Sequence, residues 1–296
     1  MEASNDEFES VRRERMDAIT NEVLASFSGA EDPRLVEVMQ ALVRHLHSFI
    51  CEVALTSEEW SRAIEFLTEV GKMTDDKRQE FILLSDVLGV SMTTVTQNAT
   101  ADPRVTESTV FGPFFHEHAP EISSGDDLSF GAPGAPCYVA VRVSDVDGAP
   151  IPGARIDVWG ADEEGRYDVQ YEGDVNANRA FLHADEEGRA CFWTVLPTAY
   201  SIPTDGPVGA LLKAANRSPM RPAHLHFKID APGYSPLITH IFVDGDRYLG
   251  MDAVFGVRPS LVEHFHEHVP GEVSPDGREM EVTWWSFERS FTLGRV

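Results

Sequence analysis

The sequence predicts a mixed α and β protein, with a helical N-terminal domain over residues 1–100 followed by a β-sandwich domain over residues 101–296. Three observations support this. Apolar residues recur at helical spacing up to about residue 97. From about residue 101, prolines, glycines and short runs of alternating apolar residues replace that pattern. One of those runs carries two histidines two positions apart, so the sandwich is expected to hold a metal site.

Four helices are expected in the N-terminal domain. Residues 8–27 form a weaker first helix. Asp32 is a candidate N-cap with Pro33 at the first helical position, and Thr56–Glu59 is a candidate capping box for a third helix that ends near Gly71. Asp75–Met92 reads as one further amphipathic helix. The apolar positions of the last three helices are Leu35, Val36, Met39, Leu42, Val43, Leu46, Ile50, Trp60, Ile64, Leu67, Val70, Phe81, Leu84 and Leu88.

The remainder of the chain predicts short strands separated by turns, for which Asp147-Gly148 is a clear signal. Many short strands with turns between them favour an antiparallel sandwich. The strands are expected at residues 138–143, 155–159, 189–195, 224–229 and 237–243.

Composition limits the functional classes. The formal charge of −25 argues against nucleic acid as a partner, because phosphate binding needs clustered Lys and Arg, and against docking on an anionic membrane. The three cysteines, Cys51, Cys137 and Cys191, are widely spaced and form no Cys-x-x-Cys motif. No apolar signal core or membrane-spanning run is visible, so a reduced cytoplasmic location is expected.

The segment from Arg221 to Phe227 carries the main chemical signal. His224 and His226 lie two apart in a strand-like run, where side chains two apart share a face and can reach one metal ion. Spacing alone leaves open an ordinary buried or surface pair. The pair His45 and His47 has the same spacing in a helical pattern, where the two side chains point roughly 200° apart.

Other histidines are interpreted as exposed polar positions. His264, His266 and His268 surround Glu267 without a His-Glu-x-x-His motif, which gives no support for a metalloprotease-type zinc site.

Tyr167 and Tyr200 are candidate phenolate ligands upstream of His224 and His226. Two tyrosines and two histidines suit ferric iron, a hard cation, since coordination removes the phenol proton and supplies anionic oxygen.

Taken together, these motifs resemble the intradiol ring-cleavage dioxygenases over nearly the whole chain. The motifs are Gly165–Tyr171, Pro197–Pro203 and Arg221–His226. The chain is most similar to the branch that cleaves hydroxyquinol, through Tyr167–Tyr171, Leu84–Gly89 and Tyr248–Val257. It departs from the catechol-cleaving branch at His240, where glutamine is usual.

The resemblance implies one Fe(III) per subunit, held by Tyr167, Tyr200, His224 and His226. Spacing alone would not separate Tyr167 from Tyr171. Arg221 and Tyr200 would be catalytic, with Arg221 stabilising negative charge on the ring and Tyr200 leaving the metal to take a proton. Substrate would be bound by Arg221 and by a pocket formed from Leu83, Asp86, Val110, Phe111, Gly112, Pro113, Phe114, Ile202, Pro203 and Val254.

The implied reaction cleaves hydroxyquinol between adjacent hydroxyls with O2, giving 3-hydroxy-cis,cis-muconate or maleylacetate. Asp86 would bind the third hydroxyl and select that substrate. The family also implies a homodimer through the N-terminal helices, sometimes with bound phospholipid.

Two alternatives remain. Catechol or a chlorocatechol would undergo the same reaction and give cis,cis-muconates. A non-catalytic transthyretin-like binding module is suggested by the turn at Gly148–Ala154, although such a module does not need the four ligands.

Overall fold

The computed structural model describes residues 5–75, 78–173 and 175–296. The chain forms two compact units, Met1–Thr68 and Glu69–Val296. The division expected near residue 100 remains a prediction about domain organisation. In the described residues, no helix has the length and apolar character needed to cross a membrane.

The first unit is helical, as predicted. It contains α1 (Asn5–Ser26), α2 (Pro33–Glu52) and most of α3 (Ser57–Lys72). Asp32 caps α2 by accepting a hydrogen bond from the Arg34 backbone at 2.8 Å. Thr56 and Glu59 form the reciprocal hydrogen bonds of a capping box at α3.

The apolar faces of α2 and α3 are largely exposed. Val43 is the buried residue of α2, and Val70 is that of α3. The stripes that the sequence predicts are therefore present, but most of their side chains face outward. The exposed apolar residues of these two helices are Leu35, Val38, Leu42, Leu46, Phe49, Ile50, Trp60, Ile64 and Leu67.

The prediction of a single helix over Asp75–Met92 is wrong in two respects. Residues 80–98 form two helices, α4 (Glu80–Val87) and α5 (Val90–Asn98), which are separated at Gly89. Gly89 has a φ of 72°, a left-handed conformation that ends the first helix and that glycine adopts without penalty. The stripe also differs, because Phe81 and Leu88 are exposed whereas Leu83, Leu84, Asp86 and Val87 are buried.

The strands predicted from alternation are all present, and several more were missed. The second unit contains one more helix, α6 (Pro207–Ala214). The strands are β1 (Pro136–Asp145), β2 (Arg155–Gly160), β3 (Arg179–His183), β4 (Arg189–Val195), β5 (Tyr200–Ser201), β6 (Met220–Arg221), β7 (His224–Asp230), β8 (Leu237–Val243), β9 (Val262–Glu263), β10 (His266–His268) and β11 (Trp284–Leu293).

Two sheets enclose one core, which confirms the predicted fold class. One sheet has the order β10-β11-β1-β4, and the other has the order β3-β2-β7-β8-β9. Alternate residues of both sheets, among them Val139 and Phe192 from one and Val158 and Phe227 from the other, form a single buried cluster. Burial of this apolar surface is the main stabilising contribution to the unit.

The sheets are mixed rather than purely antiparallel. β1 pairs with β11 in parallel over Cys137–Asp145 and Trp285–Leu293, and β8 pairs with β9 in parallel. The sequence prediction did not include β11, and a parallel partner so distant along the chain leaves no local turn signal.

We expect Gly89→Ala to lower the free energy of unfolding by about 1–2 kcal/mol, because a Cβ disfavours the left-handed conformation. Gly250→Ala is the control, since Gly250 has open space around its Cα and no positive φ. Thermal unfolding of the two variants checks this, and equal midpoints would contradict it.

Candidate metal centre and substrate site

Strand β7 places His224 and His226 on the face opposite the sandwich core. Leu225, Phe227 and Ile229 point into the core, and the two histidines alternate with them. Both histidines are nevertheless buried, at 2% and 1% exposure. Their Nε2 atoms lie 3.1 Å apart. The side chains therefore converge, as the strand context predicts.

Tyr167 and Tyr171 occupy different surroundings. The Tyr167 hydroxyl lies 2.8 Å from Nε2 of His226. The Tyr171 hydroxyl instead donates to the buried carboxylate of Asp162. The two tyrosines, which their spacing in the sequence did not distinguish, therefore differ in their contacts: Tyr167 adjoins a candidate ligand and Tyr171 binds a carboxylate.

The loop that carries Tyr167 packs against Tyr200. The two phenol rings meet edge to face, with centroids 5.3 Å apart. Gly165 has a φ of 80°, and a Cβ there would lie 2.8 Å from Cβ of Tyr200. Glycine therefore allows both the turn and the close approach.

Short strands β5 and β6 bring Tyr200 and Arg221 together as a cross-strand pair. Nη1 of Arg221 donates to the Tyr200 hydroxyl at 3.4 Å and lies 3.2 Å from Nε2 of His224. Since a guanidinium only donates, that Nε2 is the unprotonated nitrogen. Nδ1 of His224 donates to the Pro222 carbonyl at 2.6 Å, which agrees with this tautomer.

Arg221 is buried and is paired with Asp252, which the sequence interpretation missed. Nε of Arg221 donates to Asp252 Oδ1 at 3.1 Å, and both side chains are 2% exposed. Burial opposes the charge of Arg221, but Asp252, Tyr200 and Tyr167 raise the pKa of its guanidinium. Burial alone would raise the pKa of Asp252, but Arg221 lowers it below its usual value.

The imidazoles are held neutral. Burial, and then the charge of Arg221, lower the pKa of His224 to about 3. Burial and the neighbouring His240 lower the pKa of His226 well below its usual value. Burial and Tyr200 raise the pKa of the Tyr167 phenol. Each neutral imidazole therefore keeps one nitrogen lone pair that a cation could use, while the cation would have to displace the Tyr167 proton.

The donor set fits a metal ion. In the described residues, His224, His226 and His240 form a group whose ligand atoms lie within 4.8 Å of one another. The Tyr167 hydroxyl and the Arg221-bound Tyr200 hydroxyl adjoin the first two histidines. Neutral nitrogen and potential phenolate oxygen are suitable ligands for a transition metal.

The predicted pocket residues other than Arg221 come from four segments of the chain. Leu83 and Asp86 are buried on α4, while Ile202 and Pro203 follow β5. Asp86 interacts electrostatically with Arg221 and Asp252, and burial raises the pKa of its carboxyl. Val254 is buried, and its N–H donates to Asp252 Oδ1 at 3.3 Å.

The loop from Val110 to Phe114 contacts the histidine and tyrosine cluster. The Phe114 ring stacks on Tyr167 with centroids 4.4 Å apart. Gly112 lies beside Cε1 of His226. Val110 is buried, whereas Phe111 and Pro113 are exposed.

Further residues support this cluster and were not predicted. Trp159 stacks on the His226 ring at 4.7 Å. Arg179 forms a buried ion pair with Asp168 and donates to the Phe114 carbonyl at 2.6 Å. Arg179 belongs to β3, which also escaped prediction, so no local signal connected it with the tyrosine loop.

The remaining histidines lie elsewhere. His264 and His266 are exposed, and His268 stacks on Trp284 at 3.9 Å. In the first unit, His47 contacts Thr20 at 2.8 Å and His45 is exposed, so the helical pair does not converge. A surface cavity of about 810 Å³ is lined by residues such as Arg104, Glu107 and Arg289, and none of the candidate ligands lines it.

Comparison with known proteins places the chain among dioxygenases. Residues 110–286 match a family described as "Dioxygenase", and residues 32–106 match "Catechol dioxygenase N terminus". A relative from Nocardioides simplex, hydroxyquinol 1,2-dioxygenase, is 54% identical over 266 residues, covering 90% of this chain and 91% of the relative.

Solved structures of dioxygenases are also similar to this chain. Hydroxyquinol 1,2-dioxygenase from Pseudomonas putida DLL-E4 is 42% identical with a TM-score of 0.89, over 96% of this chain and 100% of that chain. Catechol 1,2 dioxygenase from Acinetobacter radioresistens is 26% identical with a TM-score of 0.82, over 96% and 93% of the two chains.

We expect Asp252→Asn to destabilise the second unit by about 3–5 kcal/mol, because it leaves the Arg221 charge buried without its ion-pair partner. The control is Asp205→Asn, which removes a carboxylate that also pairs with an arginine, Arg78, but is 68% exposed. Urea unfolding measures both, and comparable losses in the two variants would contradict the expectation.

Proposed function

The chain belongs to the intradiol dioxygenase family, and from this premise we propose that it cleaves hydroxyquinol, 1,2,4-trihydroxybenzene, between adjacent hydroxyls with O2. The product is 3-hydroxy-cis,cis-muconate, or its tautomer maleylacetate. The 54% identity with a hydroxyquinol 1,2-dioxygenase over 90% of the chain carries this proposal. The convergence of two tyrosines and two histidines at one buried place supports it.

The proposed cofactor is one Fe(III) per chain, held by Tyr167, Tyr200, His224 and His226. The neutral imidazoles and the adjacent phenols support this assignment. Bound there, ferric iron would supply a Lewis acid that binds the deprotonated diol and activates its ring toward dioxygen.

Arg221 stabilises negative charge that develops on the substrate. Its Nη2 is buried and makes no hydrogen bond within the described part of the chain. An unpaired buried donor is costly, so a substrate oxygen or an electron-rich ring is a natural partner for it. Asp252 holds the guanidinium in place through Nε and leaves the other nitrogens to face the site.

Tyr200 is the proposed acceptor of a substrate proton. Its hydroxyl oxygen accepts a hydrogen bond from Nη1 of Arg221, which stabilises the phenolate before the proton arrives. Tyr200 is 6% exposed, so bulk water does not compete at that oxygen.

Asp86 is the proposed determinant of substrate choice. It is 4% exposed and lies within electrostatic range of Arg221. A carboxyl there can hydrogen-bond the third hydroxyl, which catechol lacks. The other proposed wall residues are Leu83, Val110, Phe111, Gly112, Pro113, Phe114, Ile202, Pro203 and Val254.

Catechol or chlorocatechol is the second candidate substrate. The likeness in fold to a catechol 1,2 dioxygenase, at a TM-score of 0.82, supports it. Oxygen-uptake measurements with hydroxyquinol, catechol and chlorocatechols, with identification of the products, decide between the candidates. Faster turnover of catechol than of hydroxyquinol would reverse the order proposed here.

The proposed assembly is a homodimer formed through the helices of residues 1–100, in which phospholipid could also be bound. The exposed apolar side chains of α2 and α3 support this, since a second copy would remove them from water. Sedimentation measures the mass in solution, and lipid extraction identifies any bound phospholipid.

Protein loaded with Fe(III) is expected to be red to burgundy, because tyrosinate-to-iron charge transfer absorbs visible light. Tyr167→Phe should remove or shift the absorption band. Tyr171→Phe is the matched control and should retain it, because Tyr171 binds Asp162. A colourless iron-loaded protein, or a band that depends on Tyr171, would refute the ligand assignment.

Replacing Asp86 with Ala should lower activity on hydroxyquinol relative to catechol by about 10- to 100-fold, the effect of losing one charged hydrogen bond. Ile82→Ala, an exposed change on the same helix, serves as the control. The ratio of kcat/KM for the two substrates is the measurement. An unchanged ratio would remove Asp86 from substrate selection.

A further inference from the structure

His240 joins the candidate metal centre through His226. β7 and β8 are antiparallel neighbours, and their register sets His226 directly opposite His240. Nε2 of His240 lies 2.8 Å from Nδ1 of His226. Nδ1 of His240 lies 2.6 Å from the Thr109 hydroxyl. All three side chains are at most 2% exposed, so water does not replace these contacts.

The nitrogen of His226 that His240 contacts is not the one near Tyr167. Nδ1 faces His240, whereas Nε2 faces the Tyr167 hydroxyl. A cation held beside Tyr167 by Nε2 therefore lies on the opposite side of the imidazole from His240. Although His240 belongs to the group of three clustered histidines, this arrangement suits a hydrogen-bond partner of a ligand.

The hydrogen-bond chain has two possible directions. In one, Thr109 donates to His240, His240 donates to His226, and the proton of His226 lies on Nε2. In the other, Nδ1 of His226 donates to His240, and Nδ1 of His240 donates to Thr109. Only the second direction leaves an Nε2 lone pair on His226.

The tautomer of His224 does not depend on such a chain of hydrogen bonds. Its Nδ1 contacts the Pro222 carbonyl, which can only accept, so its tautomer is fixed by one bond. Nδ1 of His226 contacts His240, whose imidazole can donate or accept. The tautomer of His226 therefore depends on the hydrogen bond between His240 and Thr109. Trp159 stacks on the His226 ring and restrains its plane, but stacking does not select a tautomer.

Thr109 is itself fixed against the strand that carries His240. Its backbone N–H donates to the Ile238 carbonyl at 2.9 Å. Two residues earlier, the Glu107 carbonyl accepts a hydrogen bond from the Thr239 hydroxyl at 2.8 Å. The Thr109 hydroxyl therefore stands at a defined position beside Nδ1 of His240.

We propose that Thr109 and His240 are positioning residues that hold His226 with its proton on Nδ1, so that Nε2 is available to the metal. This inference rests on the proposed function only in taking His226 as a ligand. Hydrogen-bond partners of this kind orient ligands, and their loss commonly weakens metal binding by about 10- to 100-fold.

The test compares two pairs of variants. Thr109→Val keeps the branched shape and removes the hydroxyl, whereas Thr109→Ser keeps the hydroxyl. His240→Leu removes the acceptor for His226, whereas His240→Gln supplies an amide oxygen in its place. Fe(III) affinity is measured by competition with a chelator of known affinity, and the visible band is followed in parallel.

We expect Thr109→Val and His240→Leu to bind Fe(III) about 10- to 100-fold more weakly, with binding near the wild-type level in Thr109→Ser and His240→Gln. Wild-type affinity in Thr109→Val would overturn the role of Thr109, even if His240→Leu fails to fold. Equal losses in His240→Leu and His240→Gln would make His240 a direct ligand and overturn its positioning role. Failure of the wild-type protein to bind Fe(III) with a visible band would instead refute the proposed cofactor.

Discussion

The alternation of side chains along β7 is the constraint on which the rest of the structure depends. Leu225, Phe227 and Ile229 close the core between the sheets, and His224 and His226, which alternate with them, form the centre of the candidate site. A slip of one residue in the pairing of β7 would turn the imidazoles into the core and the apolar side chains into the candidate site. The apolar packing that stabilises the sandwich therefore also sets the position of the ligands.

Local periodicity was sufficient to predict the parts of the fold that depend on it. Caps at Asp32 and Thr56 and the alternating strands follow from neighbouring residues, and the structure has them. The break at Gly89 was missed because a helical stripe continues through it and only the backbone conformation reveals the change of direction. Strand β11 was missed since its parallel partner β1 lies about 150 positions earlier in the chain.

The candidate site shows the same difference between features that short motifs predict and contacts between residues far apart in the chain. Sequence resemblance named the tyrosines, the histidines and Arg221 as an expected set, and the structure brings them together. It could not connect Asp252 with Arg221 or Thr109 with His240, because those pairs are separated by 31 and 131 positions. Resemblance favoured Tyr167 over Tyr171, which spacing alone did not separate, and the contact of the Tyr171 hydroxyl with the Asp162 carboxylate supports that choice.

The parallel pairing of β1 with β11 has a consequence for synthesis of the protein on the ribosome. The paired residues lie about 150 positions apart, and β11 is an interior strand of its sheet. At typical translation rates, β1 waits roughly 7 to 30 s for that partner. Until then Val139, Val141 and Val143 lack the core residues that β11 contributes beside them. Nascent chains of this protein are therefore candidates for chaperone binding during this interval.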